Sequence, residues 1–157
     1  MVQDLLRKAV FLALPAMLCL TASAQSLDVS EPYSAGLLFL SLDKYDVALQ
    51  FFEQAVRQNP KDAKAWFQAG FCLGKTGATE AKLRAYRKAI ALDPKFADAH
   101  YSLGVSLLLS DHKCDAMHEF RALTVLDADL AGRLKALMDA MLDTEACQVP
   151  PPPETAI

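Results

Sequence analysis

His112, Cys114 and His118, with Cys147 further along, are the residues of this sequence whose types and spacing could do chemistry. Cys114 and His118 are four residues apart, which places them on one face of a helix, and a thiolate beside an imidazole is a zinc-type donor pair. The spacing matches no closed zinc pattern, so no metal site is expected, and thiol or metal binding through Cys114, His118 and Cys147 stands as an alternative only. The same thiols offer a second chemistry, a disulfide. Catalytic sets are not visible: there is no Ser-His-Asp order, no Gly-rich phosphate loop and no metalloprotease helix motif. Asp111, Asp115 and Asp127 stand where helices start or on the surface. The residues therefore point to a protein that is no enzyme and needs no cofactor. His100, alone at a packing position, reads as a neutral, hydrogen-bonded core residue.

The elements that position these groups are legible from apolar spacing. In the stretch from Ala63 to Pro94, Trp66, Ala69, Gly70 and Leu73 recur at helical spacing, and so do Leu83, Tyr86, Ala89, Ile90 and Leu92. Gly77 interrupts the two patterns and Pro94 stops the second. The hairpin has two further copies. Gly36, Gly70 and Gly104 lie 34 residues apart, as do Phe52, Tyr86 and Phe120, then Ala55, Ala89 and Leu123, then Pro60, Pro94 and Ala128. A fixed period in this range signals stacked helical pairs. The spacing predicts helices over 31–42, 45–58, 63–76, 79–92, 97–110 and 113–126. A last amphipathic segment, 129–146, carries Leu130, Leu134, Leu137, Met138, Met141 and Leu142 and would cover the open end of the stack. If that segment runs antiparallel to the helix before it, Cys114 and Cys147 meet at one end of the bundle, so a Cys114–Cys147 disulfide is expected. Cys72 reads as a small buried apolar residue.

The repeated residues resemble the tetratricopeptide repeat (TPR) family, whose pattern is Trp, Leu-Gly and Tyr in the first helix and Ala, Phe, Ala and Pro in the second. The second copy supplies Trp66, Gly70, Leu73, Tyr86, Ala89 and Pro94; the third supplies Leu103, Gly104, Ala116 and Phe120; the first supplies Gly36, Ala48, Phe52, Ala55 and Pro60. The resemblance, over about 29–130, implies an all-α, right-handed superhelix of three TPR-like hairpins with a C-terminal capping helix. Two positions depart from the pattern. Lys82 stands where a small Ala is usual, which implies a shifted helix start or a stem run outward to water. His100 replaces the Trp.

A stack of this kind lines its concave face with first-helix side chains, and the resemblance implies the same. By register the groove would hold Tyr33, Leu37, Leu40 and Ser41 from the first copy. The second adds Lys64, Phe67, Phe71 and Lys75, and the third Asp98, Tyr101, Val105 and Leu108. Tyr33, Phe67 and Tyr101 form an aromatic row suited to an apolar helix or extended peptide, unless the rings pack on neighbouring helices instead. Relatives that grip a peptide's terminal carboxylate use Lys and Asn side chains, a set this row does not resemble, so apolar side chains are the expected ligand. The first helix is strongly apolar at Leu37, Leu38, Phe39, Leu40 and Leu42, and self-association through it is a further expectation.

Arg7 and Lys8 precede an apolar run from Ala9 to Leu20, followed by the small-x-small site Ala22-Ser23-Ala24. This is the layout of a secretory signal peptide over 1–24, with an uncleaved membrane anchor as the alternative. Residues 25–147 would form the repeat domain and 148–157, with Pro150 to Pro153, a Pro-rich disordered tail. Losing two basic charges and one acidic charge with the signal takes the net charge from −3 to −4, which argues against nucleic acid or anionic lipid as partner. The basic cluster Lys82, Arg84, Arg87 and Lys88 reads as a solvated outer face. Together these readings describe a periplasmic or secreted scaffold or assembly factor. The alternative is a structural subunit of a larger envelope complex.

Overall fold

The computed structural model describes residues 31–141. The signal segment, the Pro-rich tail and Cys147 lie outside the described residues. Seven helices and no strands occur among them: α1 (Pro32–Ser41), α2 (Tyr45–Gln58), α3 (Ala63–Lys75), α4 (Thr79–Leu92), α5 (Ala97–Leu109), α6 (Lys113–Leu126) and α7 (Ala128–Met141). Each of the first six packs on its chain neighbours, and α7 packs on both α5 and α6. The result is an all-α right-handed superhelix of three hairpins closed by a capping helix. No described helix is long and apolar enough to cross a membrane.

The second helices begin and end where apolar spacing places them, whereas each first helix stops one residue short of its expected end. A Schellman motif at each hairpin turn is the cause. Lys44, Ala78 and His112 donate their backbone N–H to the carbonyls of Phe39, Leu73 and Leu107 at 2.9, 2.9 and 2.8 Å. The residue between has a positive φ in every copy: 55° at Asp43, 84° at Gly77 and 61° at Asp111. Gly adopts this region freely, and Asp is among the few other residues that tolerate it. The capping helix starts earlier than the 34-residue period requires. Asp127 accepts N–H bonds from Asp129 and Leu130, both at 3.0 Å, and so caps a helix that starts at once.

The repeated glycines sit where helices press together. A Cβ on Gly36 would lie 2.6 Å from the Phe52 ring, and one on Gly70 would lie 2.8 Å from Tyr86. The third copy differs: Gly104 receives Leu134 of the capping helix, whose Cδ2 would be 2.7 Å from such a Cβ. Phe120, half-buried, packs elsewhere against the same core. One apolar cluster, around Ala48, Phe52, Ala69 and Cys72, joins the first two hairpins. A second runs from Leu83 and Tyr86 through Leu103, Leu107 and Leu123 to Leu134 and Met138. Phe52 and Leu134 are fully buried, each contributing about 1.5–3 kcal/mol through the area removed from water.

Lys82 enters its helix at the same register as Ala48 and Ala116, so the helix start is not shifted. Its stem lies over Gly74, with Cδ 2.9 Å from where a Cβ would be. In the other copies the matching pairs are Leu40 with Ala48 and Leu108 with Ala116. A large-small pair has become a small-large one, which conserves volume at the contact.

Candidate partner-binding face

The residues expected to line the groove divide by register. The row Tyr33, Phe67 and Tyr101 is half-buried in all three copies and engaged with the protein itself. Tyr33 meets Phe52 edge-on at 5.7 Å between centroids. Burial is the main reason its phenol titrates above the usual range. Phe67 packs between Tyr86 at 5.6 Å and Phe96 at 4.9 Å. The Arg133 guanidinium of α7 lies 4.9 Å above the Tyr101 ring, a cation–π contact that fastens the cap.

One turn further along each first helix stand Leu37, Phe71 and Val105, again 34 residues apart. Leu37 is 39% exposed, and Phe71 and Val105 are half-buried. Phe71 meets Tyr45 of α2 at 6.4 Å. The Lys75 ammonium lies 5.6 Å from the Tyr45 centroid and 5.3 Å from that of Phe71. Tyr45 is the residue the spacing argument missed, because it belongs to a second helix. It donates its phenolic hydrogen to Asp43 at 2.6 Å, and this bond is the first cause of its raised pKa. Lys64, Asp98 and Ser41 are exposed, and Leu40 is half-buried against the first core cluster. Leu108 is a correction: it is 4% exposed and belongs to the second core cluster, so it offers a partner no surface. The rise from Leu40 to Leu108 in burial follows from the capping helix, which covers only the last hairpin.

The groups with possible chemistry are spread out. Cys114 and His118 are exposed on α6, and no cluster of three or more metal-ligating side chains occurs among the described residues. The expected bond from Cys114 to Cys147 involves a residue outside the described range. Cys72 is fully buried, and burial pushes its thiol up to about 11, away from thiolate reactivity. His100 is buried, with Nδ1 2.6 Å from Glu119 Oε2 and Nε2 3.1 Å from the Pro94 carbonyl.

Family models agree with this geometry. One described as a tetratricopeptide repeat matches residues 33–81, and one described as a TPR repeat matches residues 79–110. The chain belongs to the tetratricopeptide repeat family. It is similar to the peroxisomal targeting signal receptor of Candida glabrata, at 32% identity over 113 residues, 71% of this chain and 19% of that protein. This chain thus spans under a fifth of that relative. Among solved structures it is similar to YrrB, described as a TPR protein with an unusual peptide-binding site, at 28% identity and TM-score 0.62, covering 74% of this chain and 60% of that one. The TPR2B domain in the Hsp70 complex of yeast Sti1 shares the fold at TM-score 0.62 and 19% identity, covering 74% of this chain and 94% of that one.

Proposed function

We propose that this protein is a protein–protein interaction scaffold that holds an apolar segment of a partner on its first-helix face, with no bond made or broken. One observation carries the reading: Phe71 and Tyr45 form an aromatic pair beneath the Lys75 ammonium, on the register line of Leu37 and Val105. An apolar side chain laid along that line would meet aromatic rings, while Lys75 offers a charge to a neighbouring carboxylate or carbonyl. The peptide-binding site in the description of YrrB is consistent with this use of the fold. The matching test is capture of partners from an envelope extract on the immobilised chain and on its Phe71→Ala and Lys75→Glu variants. Loss of the same bound species with both variants is the expected result. An unchanged set of bound proteins, with helical content retained, overturns the reading.

The place of work rests on the N-terminal sequence. Arg7, Lys8, the apolar run to Leu20 and Ala22-Ser23-Ala24 favour export to the periplasm or medium with removal of 1–24. Mass measurement of the protein recovered from cells is expected to start it at Gln25; an intact N-terminus in the membrane fraction favours the anchored alternative. In an oxidising compartment Cys114 and Cys147 would pair, and two fewer titratable thiols would report it. A structural role in a larger complex is favoured by Leu37 of α1 and Leu42 just after it, 39% and 57% exposed. Sedimentation of the mature chain separates it from a free monomer.

A further inference from the structure

Beyond the first-helix face, the opposite side of α3 floors a groove between α2 and α4. It encloses about 520 Å³. Trp66, Ala69 and Leu73 form its floor, at positions that point away from Phe67 and Phe71 at 100° per residue. The indole N–H of Trp66 is already used, donating to the Pro60 carbonyl at 3.0 Å, so the half-buried ring offers only apolar surface.

The next pair of hairpins provides an internal comparison. Thirty-four residues on, Ala69, Ala81 and Ala85 become Leu103, Asp115 and Glu119. There the same space is filled: Leu103 is 2% exposed, Glu119 is tied to His100, and Arg87 reaches across to Asp115 at 3.9 Å. Three alanines keep the first groove open.

Its rim is also distinct in charge. Arg57, Arg84 and Lys88 line it against one acid, Glu53, which sits 3.9 Å from Arg57 on the same helix. Arg84 and Lys88 have no carboxylate within ion-pair distance among the described residues. A basic rim around an apolar floor complements a segment with the reverse arrangement, apolar side chains flanked by carboxylates. We infer that the groove between α2 and α4 is a second docking site, for an acidic amphipathic segment of a partner protein. Its walls, Leu49 to Arg57 on α2 and Ala81 to Lys88 on α4, are each about two helical turns long, which suits two turns of a docked helix.

Trp66 is the chain's one tryptophan, so its fluorescence reports on this groove directly. The probe is a short acetylated, amidated peptide of leucine and glutamate with the leucines at spacings of three and four, compared with versions carrying glutamine or lysine for glutamate. Titration into the full chain is expected to blue-shift the emission with the glutamate peptide. Affinity should fall about tenfold with the glutamine version, and binding should be lost with the lysine version. Joint Arg84→Glu and Lys88→Glu substitution, at exposed positions that leave the fold intact, should reverse the order of the peptides. Ala81→Leu should block all binding with the melting curve retained, and Phe71→Ala should change nothing here. Three results would overturn the inference: emission unmoved by any peptide, equal affinity for all three, or sedimentation showing the groove closed by a second copy of the chain.

Discussion

His100 and Glu119 are the most constrained polar pair of the described residues. Both groups facing the ring, the Pro94 carbonyl and the Glu119 carboxylate, are acceptors. With Glu119 ionised the ring must donate from both nitrogens; a neutral His100 requires the proton to sit on Glu119. Of the expected neutral, hydrogen-bonded core histidine, the burial and the hydrogen bonds are seen, and the partner is a carboxylate brought from another helix. Glu119→Gln gives a fully satisfied neutral alternative, in which the amide donates to Nδ1 and Nε2–H donates to Pro94. That variant is expected to lose under about 1 kcal/mol, whereas Glu119→Ala, which leaves Nδ1 unpartnered, should lose about 1–3 kcal/mol. Urea denaturation of the two measures the difference; equal losses would remove this account.

Two buried acids make a further prediction at the same scale. Burial is the main cause that raises Cys72 to about 11 and Tyr86 to about 12, from 9.0 and 10.0. The unfolded chain releases these protons first, so it binds fewer protons than the native state in the alkaline range. Stability should therefore be full below pH 9 and fall as the pH rises from there to about 12. Thermal melts across that range check the sign. In the native protein Cys72 should also resist a thiol reagent that labels it after denaturation.

Among the elements, the hairpin turns carry their own prediction. Gly77 has a φ of 84° and open space around it, so Gly77→Ala meets no clash but must hold a left-handed backbone. A loss of about 1 kcal/mol is expected, measurable as a lowered melting temperature. Gly70→Ala acts by another route, contact with the Tyr86 ring, and should cost stability through displaced packing. If Gly77→Ala is neutral, the turn is not held as described. The turns at Asp43 and Asp111 show that the conformation belongs to the period, with Gly as one of two solutions.

For the whole molecule, the decisive contact is the cap on the last hairpin. Leu134 is fully buried over Gly104, and Arg133 covers Tyr101. A repeat stack is held by neighbour contacts alone, so loosening its last member exposes the second core cluster to water. Leu134→Ala should lower unfolding free energy by about 2–5 kcal/mol. Chemical denaturation followed by circular dichroism tests this; a loss under about 1 kcal/mol would mean that α7 is peripheral. The two core clusters also lead us to expect that the first hairpin, without such a cap among the described residues, unfolds more readily than the last.

Helix number, helix order and the 34-residue register were readable from the chain because apolar spacing and turn residues are local signals, repeated three times. Tyr45–Gln58, Thr79–Leu92 and Lys113–Leu126 were fixed by pattern alone, and even the Leu40, Gly74 and Leu108 exchange was present in the letters. The accessible surface was not readable in the same way. Whether Tyr101 faces a partner or Arg133, whether Leu108 is groove or core, and whether Gly104 receives Phe120 or Leu134 depends on where a helix remote in sequence comes to rest. Burial belongs to pairs of elements, and periodicity describes one element at a time. The sequence by itself therefore determined which side chains each helix turns to one face, and tertiary packing decided which of those faces remained open.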